Sequence, residues 1–377
     1  MEIQTYFPIL EPITRIRIRK PVDMHQHFRR GDILRLVAPM VAKRFASAIV
    51  MPNTIPPITS ADMAMDYQSE IRDALGDSIF GLLMTIYLTD MLDVEDVEHA
   101  MSMRYIHAVK YYPRGLTTNS DSGVRDPASL WTPDTNPYEV LRAVARQCGT
   151  LLLHAADGFD ENGNELDPYE QEPHFISETL PRIIDAHPDL RISVEHLSTK
   201  QGAAFIEKNG NQRLGCSLTA HHLLMDRRDV FRGGFRPHRS WWPIIQSQDH
   251  KEALQELVRQ CHSFVWLGSD SAPHPVEKKE SDCCAGGVLM AHAGIELYAE
   301  AFEAMGSGML QVLEYFASIN GPKFLGFPPS DEYITLVKED WIVREPFFTE
   351  SGGDMGVPTK IVPFRLGETI RWKLLQE

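Results

Sequence analysis

Short apolar runs rich in β-branched and aromatic residues recur along this sequence, each followed by a stretch with helical periodicity, and this alternation constrains the fold more than any other feature. The runs lie at residues 16–25, 47–53, 80–88, 105–112, 150–154, 190–196, 214–219 and 264–270. Helical patterns fall between them at 60–75, 94–103, 137–148, 199–208 and 251–261, several opened by a Ser, Thr or Asp suited to capping. Strand and helix alternating in this way build parallel strands with helical crossovers. Eight such units predict an α/β fold, a closed (β/α)8 TIM barrel. No Gly/Ser/Pro-rich linker divides the chain and no internal repeat is evident, so residues 1–377 are expected to form a single domain with short N- and C-terminal extensions. After Pro328 the runs at 333–337 and 361–372 read as a peripheral extension.

Most of the runs stay apolar until a metal-capable or hydrogen-bonding residue at the C-terminal end: His25, Asn53, Lys110, His154, His196 and Asp270. Enzymes on this fold build their active sites at that face, so the pattern predicts catalysis. The formal charge of −15, from 37 Lys+Arg against 52 Asp+Glu, argues against binding nucleic acid or an anionic membrane. An anionic substrate would need a local positive site. Five cysteines, two of them adjacent at Cys283 and Cys284, fit a reducing compartment better than a disulfide framework. The start, Met1-Glu2-Ile3-Gln4-Thr5-Tyr6, lacks the basic and apolar character of a signal peptide. A cytoplasmic location is expected.

In Asp23-Met24-His25-Gln26-His27-Phe28-Arg29 the histidines stand two apart, and alternate side chains of an extended backbone share a face. Both imidazoles could reach one cation, and Arg29 could grip a carboxylate; alone, the same pattern could arise by chance. His154 and His196 each end an apolar run, where a lone histidine is commonly a hydrogen-bonded core residue. Two of them at one face, beside the His25/His27 pair, point to nitrogen ligands for zinc. Lys110, in Ala108-Val109-Lys110-Tyr111-Tyr112, reads either as a salt-bridged lysine or as a neutral amine that adds carbon dioxide to form a metal-bridging carbamate. Asp270, in Ser269-Asp270-Ser271-Ala272-Pro273-His274, reads as an Asx-turn residue or as a ligand and general base. His221, His222 and His238 are expected to serve local packing or hydrogen bonding. The acidic, turn-rich segment 157–172 reads as a solvated loop.

Taken together these segments resemble the amidohydrolase superfamily, and within it the single-domain dihydroorotases. The resemblance runs from about Ile16 to Trp372. It is carried by residues 23–29, AIVMPNTIPP at 48–57, AVKYYPRGLTTNS at 108–120, 151–154, VEHLSTK at 194–200, GGFRPHRSWWP at 233–243, LGSDSAPHPVEKKE at 267–280 and 320–322. It implies two zinc ions held by His25, His27, His154, His196, Asp270 and carboxylated Lys110, with a hydroxide between them. It implies that Arg29, Asn53 and His274 bind the substrate carboxylate, that backbone groups at Trp242 and Ala285 meet the ring edge, and that Thr117 and Thr118 belong to a loop that closes over the substrate. The implied reaction is the reversible hydrolysis of dihydroorotate to N-carbamoyl-L-aspartate in de novo pyrimidine (UMP) biosynthesis, with Asp270 moving the proton, by a homodimer.

Three features depart from the family pattern. Ala155-Ala156 follow His154 where Gly-Glu is usual, the stretch from there to His174 is longer, and the loop 283–287 is shorter. Two other readings compete. Related cyclic amidases, such as dihydropyrimidinases, hydantoinases and allantoinases, share the ligands but carry a second domain built partly from a longer N-terminal segment; only 24 residues precede His25. A non-catalytic barrel is the other, and it would be expected to have lost ligands.

Overall fold

Lys20-Pro21 divides the first apolar run into two strands that serve different sheets, because proline supplies no N–H to continue the ladder. In the computed structural model, which describes residues 13–350 and 357–375, these are β1 (Arg15–Arg19) and β2 (Val22–Gln26). The segment Met1 to Tyr6, on which the expectation about a signal peptide rests, lies outside the described residues. The other runs form β3 (Ser47–Val50), β4 (Gly81–Tyr87), β5 (Ala108–Tyr111), β6 (Thr150–Leu153), β7 (Arg191–Val194), β8 (Leu214–Leu218) and β9 (Val265–Leu267). From β2 to β9 they make one parallel eight-stranded sheet in sequence order. Two hydrogen bonds draw its ends together, Asp270 N–H to His25 O at 2.9 Å and His27 N–H to Ser271 O at 3.3 Å. The result is a (β/α)8 barrel.

The expected helices are found at Ala61–Leu75, Val94–Ser102, Asn136–Arg146, Lys200–Asn209 and Gln248–Arg259. Ser60, Asp93 and Thr199 cap three of them through side-chain oxygens that accept backbone N–H groups. Gly294–Met305 is hard to read from periodicity because it is buried on nearly all sides, Glu296 and Glu300 included.

Packing separates the two ends of the barrel. A small apolar cluster of Val22, Met24, Ile49, Met51, Ala108, Leu152 and Trp266 is joined by Phe324 and Leu325 from the helix Asn320–Leu325. Trp266 and Phe324 meet with ring centroids 4.4 Å apart, and Gly215 is required beside them, since a Cβ there would lie 2.4 Å from the Trp266 ring. One end is thereby plugged, and the polar strand ends gather at the other.

Downstream lie β10 (Tyr333–Ile342), the short pair β11 (Phe347–Phe348) and β12 (Lys360–Ile361), and β13 (Thr369–Leu374). The C-terminal extension contributes no strand to the barrel: β10 pairs with both β1 and β13 in a separate three-stranded antiparallel sheet. The segment before the barrel contributes one strand to it. All five cysteines are free. Among the described residues no helix is long and apolar enough to cross a membrane.

Candidate active site

His25 and Lys110 sit inside their strands, whereas His27, His154, His196 and Asp270 stand just past the ends of β2, β6, β7 and β9. Asp270 Oδ1 lies 3.1 Å from His27 Nε2 and 3.6 Å from His25 Nε2. One ligand atom from each of these three residues falls within 4.8 Å of the others. His154 Nδ1 lies 3.1 Å from His196 Nε2, and the His25 and His196 rings are 4.9 Å apart, so both pairs adjoin. Among the described residues the buried Lys110 Nζ and His196 Nδ1 have no hydrogen-bond partner. His196 and Asp270 adopt left-handed backbone conformations, with φ of 41° and 47°. Such strain costs about 1–3 kcal/mol per residue and persists where surrounding structure imposes it, typically at functional sites.

Burial controls the charge here. It holds the imidazoles of His25, His27, His154 and His196 well below their usual range, leaving them neutral, each with one ring nitrogen that carries a lone pair. It lowers Lys110 to about 8 and raises Asp270 to about 7. Four neutral imidazoles, a carboxyl group and an unpartnered amine in one buried cluster form a donor set suited to a borderline cation such as zinc.

Behind the cluster stands a carboxylate with no role in the sequence reading. Glu195 Oε2 lies 2.7 Å from His25 Nδ1 and accepts a hydrogen bond from Ser217 Oγ at 3.0 Å. Ser193 Oγ–H bonds the other oxygen, and Ser217 Oγ accepts the His196 N–H at 2.9 Å. A carboxylate on the far nitrogen of a metal-binding histidine fixes its ring orientation and raises its basicity. Glu195→Gln is expected to weaken metal binding by about 10–100-fold in chelator competition; wild-type affinity would remove this role. The missed signal was the carboxylate directly before a strand-end histidine. Asp23 also went unassigned: it accepts from His25 N–H at 3.0 Å and Ser269 N–H at 2.8 Å, joining the first and last strands.

Arg29, at φ 62°, turns its guanidinium toward the same space, with Nη2 2.9 Å from His274 Nε2 and Nε donating to Pro273 O at 3.0 Å. Because the guanidinium only donates, His274 Nε2 must accept, so its 3.0 Å approach to Gly286 O is not a second hydrogen bond from that nitrogen. Asn53 Nδ2 donates to Thr118 O at 3.1 Å, and Thr118 Oγ1 donates to Gly286 O at 3.2 Å. The Thr117–Thr118 loop therefore lies across the cleft. Together with His25, His27, His154, His196, Arg29, Asn53, Trp242 and Asp270 it encloses a cavity with about 20 Å³ free, room for little more than one water; His274 stands behind Arg29 and does not line it.

Ala285 does not line this cavity. Its N–H donates to Lys278 O at 3.0 Å and its carbonyl accepts from Lys279 Nζ at 2.6 Å. Gly286 lines the cavity instead, against Trp242; a Cβ at 286 would lie 2.1 Å from the indole Cδ1. Tyr112, also absent from the sequence reading, contributes to the wall, and Lys110 Nζ lies 4.9 Å from its ring centroid.

A scan against protein-family models finds no match. Pairwise comparison does: the chain is 39% identical over 360 residues to a dihydroorotase of Marinobacter nauticus, covering 96% of this chain and 99% of that one. The chain belongs to the dihydroorotase family. Its fold agrees with a dihydroorotase of Saccharomyces cerevisiae solved in complex with 5-fluoroorotic acid, at a TM-score of 0.86 and 27% identity over 97% of this chain and 99% of that one. A dihydroorotase of Campylobacter jejuni gives a TM-score of 0.82 and 29% identity over 98% and 99%. Membership makes this chain a hydrolase acting on cyclic amides, of a metal-dependent family that acts on a small molecule.

The segment 157–172 is the solvated loop expected of it over most of its length. Its two end residues, Asp157 and Glu172, are nevertheless buried. Asp157 Oδ2 accepts from His174 Nδ1 at 2.9 Å and Thr179 Oγ1 at 2.8 Å, and Glu172 faces Ser198 and Thr199. Composition identified the exposed middle, while the burial of the two ends depends on partners distant in sequence. His221 stacks on Trp241, His222 bonds Thr219 and His238 bonds Glu280, the local roles expected of them.

Proposed function

We propose that this dihydroorotase interconverts dihydroorotate and N-carbamoyl-L-aspartate as a cytoplasmic homodimer, using two zinc ions. The observation that carries the metal reading is the buried, unpartnered Lys110 Nζ beside four neutral imidazoles and Asp270. A bare ammonium would repel cations there. A neutral amine adds to carbon dioxide with loss of one proton, giving a carbamate whose two oxygens can each meet a metal. His25, His27 and Asp270 would hold one ion, His154 and His196 the other, with carboxylated Lys110 shared between them. When bound, the pair supplies a water of lowered pKa and polarisation of the amide carbonyl.

The chain's own residues do the rest. Asp270 takes the proton of the attacking water and delivers it to the ring nitrogen as the C–N bond breaks. Arg29, Asn53 and His274 bind the substrate carboxylate, and that local positive charge offsets the acidic balance of the whole chain. Thr117 and Thr118 close over the substrate and exclude water, and Trp242 with Gly286, in the place expected of Ala285, bounds the ring edge. The Thr117–Thr118 loop lies across this small cavity and would move aside to admit substrate.

The test follows loss of dihydroorotate at alkaline pH and its formation from carbamoyl-aspartate at acidic pH, beside dihydrouracil and hydantoin. Turnover of the last two with none of dihydroorotate would replace this reading by another cyclic amidase. Arg29→Met removes a charge-assisted hydrogen bond of about 1.5–3 kcal/mol, so KM for dihydroorotate should rise roughly 10–100-fold with a smaller change in kcat. An unchanged KM would remove Arg29 from the carboxylate site.

A further inference from the structure

The stretch between His154 and His196 holds a buried carboxylate that the reaction does not touch. Glu172 is only 4% exposed. Its Oε2 accepts from Ser198 N–H at 2.9 Å and Ser198 Oγ–H at 2.6 Å. Its Oε1 accepts from Thr199 N–H at 2.9 Å and from the Thr199 hydroxyl. Four donors on two consecutive residues converge on one side chain, which satisfies the carboxylate that burial would otherwise disfavour.

The surroundings are shaped for this contact. A Cβ on Gly202 would lie 3.0 Å from Glu172 Oε1 and 2.4 Å from Leu197 Cδ1, so the absent side chain leaves the carboxylate its place. Thr199 Oγ1 also accepts the Gly202 N–H at 3.1 Å, linking the carboxylate to the first turn of Lys200–Asn209. On the other side, Asp157 N–H donates to Gln171 O at 3.2 Å. The backbone leaving His154 is thereby fastened, through Glu172, to the backbone leaving His196.

His196 is where this fastening matters. Its left-handed conformation is held upstream by Ser217 Oγ, which accepts its N–H, and downstream by Leu197 N–H, which donates to Ser217 O at 3.1 Å, and by the Glu172 clamp on Ser198 and Thr199. We propose that Glu172 is a positioning residue for His196: its clamp on Ser198 and Thr199 sets the turn that aims the imidazole at the metal site. This rests on the metal reading given above. The longer segment after His154 then serves to deliver a carboxylate to the far side of the ligand pair.

The test uses the full-length protein with Glu172→Gln and Glu172→Ala, each loaded with cobalt(II), whose visible absorption reports coordination geometry. Glutamine keeps one acceptor oxygen but turns an NH2 against the Ser198 and Thr199 donors, so it preserves shape while breaking the clamp. Both variants are expected to change the cobalt bands, to bind metal about 10–100-fold more weakly and to lose kcat with little change in KM. Wild-type bands, affinity and kcat in the folded glutamine variant, with only a lower melting temperature, would reduce Glu172 to a helix cap and overturn the proposal. Should the alanine variant fail to fold, the glutamine variant decides. A wild-type chain that binds no cobalt would overturn the metal reading and this inference together. A wild type that binds cobalt yet leaves dihydroorotate intact would contradict the reaction alone.

Discussion

Lys110→Met is expected to abolish turnover, by on the order of a thousandfold or more, while leaving the metal-free protein as stable as wild type or more so. The first half follows from the role proposed for Lys110: without a ligand shared by two ions, several kcal/mol of charge stabilisation in the transition state would be forfeited. The second half follows from burial. Lys110 Nζ is enclosed without a partner, and its pKa falls from 10.5 to about 8. Because the folded value lies below the unfolded one, the lysine destabilises the fold fully below pH 8, and the penalty fades as pH rises from there toward the unfolded value. Methionine has similar length and no charge, so the penalty disappears. Thermal melting of metal-free protein at pH 7, beside turnover and native mass, checks both halves. Wild type should carry the added mass of one carbon dioxide and the variant should not. A variant with a tenth of wild-type turnover would refute the carbamate, and one that melts well below wild type would refute the account of burial.

Asp270→Asn is the second large effect. The side chain keeps its shape but can no longer take a proton, so kcat should fall about 10²–10⁴-fold in both directions of the reaction. Four histidines and Lys110 remain, so appreciable metal should stay bound. Near-normal turnover would show that another group moves the proton. Loss of all metal would assign Asp270 a ligand role without isolating its role as base.

Much of this was legible in the sequence because barrel strands advertise themselves: they are apolar until the residue that faces the site. His25, Lys110, His154, His196 and Asp270 all lie in or just past such strands. Less legible was whatever depends on contacts between distant segments. Glu195 and Glu172 look alike in sequence, each an acid near a histidine, yet one meets His25 and the other meets Ser198 and Thr199. Ala285 and Gly286 are neighbours, yet only Gly286 lines the cleft, while the Ala285 carbonyl accepts from Lys279 Nζ. The break at Pro21 was written in the sequence, but its result, a strand paired with β10 from the far end of the chain, was not.

The seam of the barrel carries one more consequence. His25 lies in the first barrel strand with His27 just past its end, and Asp270 lies in the turn after the last strand; the hydrogen bonds that join those strands run from Asp270 N–H to His25 O and from His27 N–H to Ser271 O. An ion gripped there would act as a staple across the closure. On the ribosome, the histidines emerge some 240 residues before their carboxylate partner, so the grip can form only once the cylinder has come round on itself. Maturation of the metal centre would thus report that the barrel is complete, and stripping the ion should loosen the protein first along that line.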